Sequence, residues 1–302
     1  MSHQADTAAA LAPAHAVRPF YWSVRRELWE NRATYLAPIA VVAVVLAAFA
    51  YASGGLPHAV RLAAAPDGAK AALFLHLPYA AAGGAVFVIS QLVALFYCLG
   101  ALHGERRDRS ILFWKSLPVS DRTAVLAKAF VPLVFQPMVI LAVTFVAHLA
   151  MLIGSTAVLA INGMDPGVLW SHIDLARIWV PLPYGLLVIA LWQVPLVGWL
   201  LLVSAWARRT TFVWAVAPWL ALALFEFLAL HTHRVWSFLD NRIFGGYAQA
   251  FTVGGYGKIP IDRLRLEDVQ RVSTLPDLWL GLVAGAALLA GCIWLRRTRD
   301  PI

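Results

Sequence analysis

Six apolar runs, each about as long as a helix needs to cross a hydrocarbon core of roughly 30 Å, punctuate the chain near residues 34–52, 79–102, 125–153, 179–205, 211–230 and 277–295. None shows the apolar–polar alternation of a barrel strand, and backbone groups in lipid must be bonded within their own segment, so the runs read as helices. The pattern predicts an all-α integral membrane protein with six transmembrane helices. Pro132 and Pro137 interrupt the third run, Pro181, Pro183 and Pro195 the fourth, and Pro218 the fifth. Each ring removes a donor from the helix ladder, which predicts kinked spans whose freed carbonyls are met by neighbouring helices. The third run stays apolar to about Ile161, longer than a span requires. Between the fifth and sixth runs, residues 231–276 carry Gly245-Gly246, Gly254-Gly255 and Gly257 among aromatics, then Ile261, Leu264 and Leu266 among charges. This predicts a half-inserted segment of short interfacial or re-entrant helices before the last span. Residues 1–16 are Ala-rich and read as a disordered tail, leaving 17–302 as a single transmembrane domain.

Composition sets the same limits. Hydrophobic residues make up 61% and charged residues 13%, with a mean hydropathy of +0.72. Soluble domains hold about 45–50% and about 25%, so too few polar side chains are present to clothe a water-facing surface. Disorder of the whole chain, a collagenous repeat and a disulfide framework are excluded by the same figures. Cys98 and Cys292 lie inside apolar runs, where a thiol behaves as a small hydrophobe. A leader of about 33 residues precedes the first run, and that run exceeds the roughly 7–15 residues of a signal-peptide core, so no cleavable signal is expected.

The net charge of +8 has a direction. With the N-terminus inside, the inner segments hold fifteen of the 24 Lys and Arg residues, among them Arg25, Arg26, Arg106, Arg107, Arg208 and Arg296. The other nine are spread over longer outer loops. The positive-inside rule therefore puts both termini in the cytoplasm. The acids divide so that the whole excess falls on the inner face, where it speaks for orientation, anionic lipid and a docked partner. Nucleic acid is not needed to explain it.

Catalytic motifs are missing. The nearest string to a phosphate-cradling Walker A loop, Gly254-Gly255-Tyr256-Gly257-Lys258-Ile259, has Thr252 where the first Gly belongs and Ile259 where a hydroxyl belongs. Neither His-Glu-x-x-His nor Gly-x-Ser-x-Gly occurs. The chain is accordingly expected to be no enzyme, with no metal site and no cofactor of its own. His231 and His233 lack a third ligand and read as membrane-boundary histidines. His76 and His148 are open to two readings, polar helix contacts or proton relays. Gln91, Gln136 and Gln193 read as interhelical hydrogen-bonders. Glu226, four residues from the end of the fifth run, is either a gate or pathway residue or a carboxylate snorkelling to the outer interface.

Two polar segments stand out. The inner loop Gly104-Glu105-Arg106-Arg107-Asp108-Arg109-Ser110-Ile111-Leu112-Phe113-Trp114-Lys115-Ser116-Leu117-Pro118 joins a dense mixed-charge run to a short apolar stretch, and Ser120-Asp121 offers a cap for the next span. Charge beside an apolar ridge suits a docking helix for a cytosolic partner, because the ridge supplies buried area and the charges set register. A positive-inside loop resting on lipid is the other reading. Residues 18–32 form a basic, Trp-rich helix for the inner headgroup surface, with Trp22, Arg25, Arg26 and Trp29 as its interfacial residues.

This layout resembles the permease subunits of ABC-2 type transporters, the exporters of the ATP-binding-cassette class with six spans per permease. The strings that carry the resemblance are Leu102-His103-Gly104-Glu105-Arg106-Arg107-Asp108-Arg109 continuing to Ser120, and Gly198-Trp199-Leu200-Leu201-Leu202-Val203-Ser204-Ala205-Trp206-Ala207-Arg208-Arg209, and the likeness extends through Glu226. It implies an inner-membrane permease that pairs with a second permease as a homodimer or heterodimer. It also implies two separate cytosolic ATPase subunits, which bind the ATP and Mg, and a role for the 104–118 loop as coupling helix. Glu105, Arg106, Arg107, Asp108, Arg109, Phe113, Trp114 and Lys115 would then dock the ATPase, and charge reversal at Glu105 with Arg107 would uncouple it. The rival reading is a membrane anchor or sensory assembly subunit that moves nothing.

Overall fold

The computed structural model describes residues 19–63, 69–110, 113, 119–172, 179–250 and 266–299, and among them there is no strand. Helix α1 (Pro19–Glu30) precedes α2 (Ala33–Ala52), which passes through a 3-10 turn at Ser53–Gly55 into α3 (Leu56–Ala63). Then come α4 (Ala69–Ala101), α5 (His103–Arg107), α6 (Asp121–Phe130), a π turn (Val131–Phe135) and α7 (Gln136–Ile161). The short α8 (Gly167–His172) leads on to α9 (Pro181–Trp192), α10 (Val194–Trp206) and α11 (Thr211–Leu230). Helices α12 (Arg234–Ala250), α13 (Leu266–Thr274) and α14 (Pro276–Thr298) complete the described chain.

Five stretches are long and apolar enough to cross a membrane: Ala33–Leu62, Leu75–Arg107, Asp121–Ile161, Thr211–Leu230 and Pro276–Thr298. Helices α9 and α10, bent by 46°, make a sixth when taken together. Their apolar residues face outward as well as inward, with Leu36, Val44, Val88, Phe96, Phe225 and Val283 all exposed, as a helix surrounded by lipid requires. The protein is a membrane-embedded helical bundle.

The prolines act where the sequence places them, each by its own geometry. Pro132 and Pro137 cannot donate, and the chain between them opens into the π turn, with the Gln136 N–H reaching Val131 O. Pro195 breaks the fourth run, and the Gln193 N–H still bonds Ile189 O while Val197 N–H resumes the ladder on Gln193 O. Two helical runs are longer than a span requires, the first beyond its expected end and the third as far as its apolar sequence reaches. The first continues to Ala63 because Gly54-Gly55 make a tight helical turn and Pro57 stands in the first turn of α3, where a missing donor costs nothing. The third continues to Ile161, where Asn162 and Gly163, the latter at a φ of 69°, stop it. Ser120 caps the start of α6 by accepting the Thr123 N–H at 3.1 Å.

Helices α10 and α14 approach each other closely. A Cβ built on Gly198 would stand 3.2 Å from Gly285 O, and one on Gly285 would stand 2.5 Å from Val194 Cγ1. Small residues let helix backbones meet in this way where no water drives them together. Around this seam Tyr97, Val125, Val131, Leu201 and Cys292 form the core at the end that carries α1. Val60, Tyr79, Met151, Leu159 and Leu169 form a second core at the far end. Cys98 and Cys292 are buried free thiols. Of the 231–276 segment, α12 and α13 are seen as helices, with α12 packed on α9 and α11. Residues 251–265, with their glycines, and the 1–16 tail lie outside the described residues.

Candidate functional site

At the end of the bundle bearing α1, three carboxylates and three cations from separate elements close on one another. Lys128 in α6 places its Nζ 2.8 Å from Glu27 Oε1 in α1 and 3.1 Å from Glu105 Oε1 in α5. Arg26 bonds the same Glu27 oxygen at 2.7 Å and Glu105 Oε1 at 2.6 Å. Arg296, in the last turns of α14, donates to Glu105 Oε2 and, at 3.0 Å, to Asp121 Oδ1 at the start of α6. The Tyr97 hydroxyl of α4 donates to Glu27 Oε2 at 3.0 Å. Glu27, Glu105, Lys128 and Arg296 are 2%, 8%, 1% and 5% exposed. With Arg26 and Asp121 at the rim, the formal charges cancel. Buried charges persist only when paired and hydrogen-bonded in this way.

Outside the spanning segments, Arg26 and the neighbouring Glu30 are both shifted upward, for different reasons. Burial works to lower the Arg26 guanidinium, but the carboxylates of Glu27 and Glu105 beside it hold it above its ordinary value. For Glu30, burial raises the carboxyl more than the nearby Arg26 lowers it.

Local structure explains how α1 delivers Glu27. One face of α1 carries Phe20 edge-on to Phe130, with ring centres 5.6 Å apart, and Leu28 into the core. The other face exposes Trp22 and Trp29, and the Arg25 guanidinium lies over both rings at 5.1 and 4.7 Å. The turn after α1 is tied by Asn31 Nδ2 to Glu27 O and by Thr34 Oγ1 to Asn31 O.

A second set of bonds joins the corner between α4 and α5 to the end of α10. Ser204 Oγ donates to Leu99 O at 2.8 Å and accepts the N–H groups of Leu102 and His103. Arg106 donates to Ala205 O at 2.7 Å, and Arg299 donates to Trp206 O at 2.6 Å. These guanidiniums meet the orphan carbonyls and the negative end of the α10 dipole. The two strings singled out in the sequence therefore touch each other through Leu102, His103 and Arg106 on one side and Ser204, Ala205 and Ala207 on the other.

No protein-family model, curated protein or solved structure matches the chain.

The expected docking residues divide. Glu105 and Arg106 do not face outward. Both are buried and spent on partners within the chain, which corrects their reading as docking residues. Reversing Glu105 would break the charge network instead of testing a surface. Arg107 and Asp108 are exposed and paired to each other at 3.0 Å, and Arg109 is exposed with a left-handed φ of 55°. Phe113 is 60% exposed. Trp114 and Lys115 lie outside the described residues. Arg26, expected at the interface with Trp22, Arg25 and Trp29, is drawn into the network.

The Glu226 carboxylate is held by donors at the start of the next helix. Its Oε1 accepts the Thr232 hydroxyl at 2.5 Å and the Arg234 N–H at 2.7 Å, and its Oε2 accepts the Val235 N–H at 2.7 Å. A carboxylate at the first N–H groups of a helix is a cap, and His231, at a φ of 51°, provides the turn that brings α12 back to it. Glu226→Gln keeps the shape but places an amide donor against these donors. Amide exchange in peptides covering residues 232–237 is expected to quicken, and unchanged exchange there would remove the capping role.

His148 holds one tautomer. The Trp179 indole donates to Nδ1 at 3.2 Å, so Nε2 carries the proton that bonds Tyr79 O at 2.9 Å. Both ring nitrogens are thereby engaged in polar contacts between helices. Gln136 Nε2 reaches Ser90 O at 3.0 Å across α4 and α7. Among the described residues no three His, Cys, Asp or Glu side chains gather to hold a metal ion.

Sequence reasoning missed Lys128, Glu27, Tyr97, Asp121 and Arg296. One signal was present: Lys128 lies four residues inside the third apolar run, where a cation is costly unless partnered. The network offers no nucleophile and no vacant base. It ties α1, α5, the foot of α6 and the end of α14 to one another.

Proposed function

We propose that the chain is the permease subunit of an ABC-2 type exporter in the inner membrane, with both termini cytoplasmic and a second permease completing the pore. Separate cytosolic ATPase subunits would dock on the segment from Arg107 to Phe113. The observation that carries this reading is that the exposed Arg107, Asp108 and Arg109 follow at once on Glu105, which sits in a buried network shared by α1, α5, α6 and α14. A push on Arg107–Phe113 would reach the first, third and last spans at once, because the charges beneath cannot separate cheaply. Nucleotide binding would act by favouring one packing of the bundle through differential contacts there. The distribution of Lys and Arg supports the orientation, and the two sequence strings support the family.

The test uses the protein purified from native membrane with its partners. An ATPase is expected to copurify. Exchanging the exposed pair, Arg107→Glu with Asp108→Arg, preserves the pairing within the chain but inverts the pattern presented to a partner. ATPase capture is expected to weaken about tenfold or more, since like charges facing one another across an interface cost several kcal/mol. The melting profile of the permease should stay in place. If an ATPase copurifies and the exchange leaves its stimulation intact, the docking assignment is wrong. If no ATPase copurifies at all, the chain is an anchor or assembly subunit.

A further inference from the structure

At the end of the bundle that bears the charge network, α10 and α11 are joined by a short corner, Ala207-Arg208-Arg209-Thr210. Both helices belong to spans, so a corner this short holds its side chains at the membrane surface. Arg208 and Arg209 are exposed there, and neither makes an ion pair among the described residues. Arg299, at the end of α14, lies over the Trp206 ring at 5.9 Å and bonds Trp206 O, again with no carboxylate partner among the described residues. The charges of Arg208 and Arg299 both act on Arg106, so three guanidiniums share one corner. The contrast with the neighbouring network is plain. There Arg26, Lys128 and Arg296 each face a carboxylate, whereas the cations of the corner look outward.

Aromatic rings flank these cations. Trp206 and Trp214 meet edge-on with ring centres 4.8 Å apart, and both are exposed, as is Phe212. Exposed tryptophan at the end of a span settles at the headgroup level of the bilayer, which places the arginines beside it at the same depth. Two kinds of partner complement such a charge, an acidic protein segment and an anionic lipid. The apolar residues next to the corner decide between them: Phe212 and Val213 continue along α11 into the span and form no ridge above the membrane for a protein to cover. A guanidinium takes phosphate oxygens through two parallel N–H bonds. A zwitterionic headgroup brings its own cation, so a headgroup of net negative charge fits this corner better.

We propose that the corner between α10 and α11 binds the headgroup of an anionic glycerophospholipid, its phosphate on Arg208 and Arg209 with Arg299 alongside, and its glycerol region against Trp206 and Trp214. The site does not depend on the transport reading. It makes the joint between the fourth and fifth spans responsive to the charge of the surrounding lipid.

The test places the full chain in nanodiscs of phosphatidylcholine with a minor share of phosphatidylglycerol bearing a diazirine on its headgroup, followed by irradiation and mapping of the adducts. Adducts are expected to concentrate on residues 206–214. Arg208→Gln with Arg209→Gln changes two exposed side chains and should lower labelling there about tenfold, since each cation near an anionic surface contributes separately. Arg61→Gln with Arg234→Gln removes the same charge from exposed positions at the opposite end and should leave labelling of 206–214 as it was. Competition on the unaltered protein keeps the proposal testable should the variant at the corner fold poorly. Unlabelled phosphatidylglycerol is expected to displace the label about tenfold better than phosphatidylcholine. Adducts spread evenly over the bundle, equal competition by the two lipids, or labelling of 206–214 that survives in the folded Arg208→Gln, Arg209→Gln variant would overturn the proposal. If that variant loses a copurifying protein while its labelling persists, the corner is a protein contact and the lipid assignment is wrong.

Discussion

Lys128→Met is expected to be among the most damaging single substitutions at the basic end of the bundle. The side chain is buried, similar in length, and bonded to two carboxylates, so methionine fills the space but leaves Glu27 and Glu105 with one cation too few. Removing one member of a buried ion pair costs about 3–5 kcal/mol, most of it the penalty of the stranded charge. The expected result is a large loss of monodisperse protein on heating in detergent. The companion experiment separates charge from packing. Glu27→Gln with Lys128→Met restores electrical balance while leaving Arg26 and Arg296 on Glu105, and should recover much of the loss. If the double variant is no better than Lys128→Met alone, the network is not acting through its charge.

Gly285→Val is expected to disrupt the bundle at a different place. A Cβ there would meet Val194 Cγ1 at 2.5 Å, the Val194 carbonyl carbon at 3.0 Å and Pro195 N at 3.1 Å. Two of those atoms are backbone at the break between α9 and α10, and Pro195 fixes φ there, so the obstruction cannot be relieved by a rotamer change. Overpacking of this kind costs about 1–3 kcal/mol. Gly100→Ala is the control, because no atom comes within 4 Å of a Cβ at Gly100, and alanine in a helix is favoured over glycine by about 0.5–1 kcal/mol. Thermal unfolding should therefore move in opposite directions for the two. Matching behaviour would mean that the close crossing of α10 and α14 does not exist as described.

The spans were legible because their signal is collective, with about twenty apolar residues each outweighing any single exception. Kinks were legible too, since proline acts through its own ring. What a proline does once it breaks the ladder was not, and Val131–Phe135 became a π turn whereas Trp192–Val194 became a bend. That choice depends on what packs alongside, and the α10 break is held by Gly285, ninety residues away in sequence on the order of helix packing. The charge network shows the same limit. Glu105 and Arg107 look alike in the sequence, two residues apart in one charged loop, but α5 turns one inward and the other out. Charge alone reports that a loop is polar. Only the register of α5 against α6 and α14 reports which side chains are surface.

Arg296 stands 191 residues after Glu105, and it is one of the cations Glu105 is built to meet. During synthesis, α1, α5 and α6 are all made long before the last span, so the assembling chain holds an uncompensated carboxylate until its final helix inserts. A chain that lacks the last span, Pro276–Thr298, lacks Arg296 and leaves Glu27, Glu105 and Asp121 with only Arg26 and Lys128 as cations in the cluster.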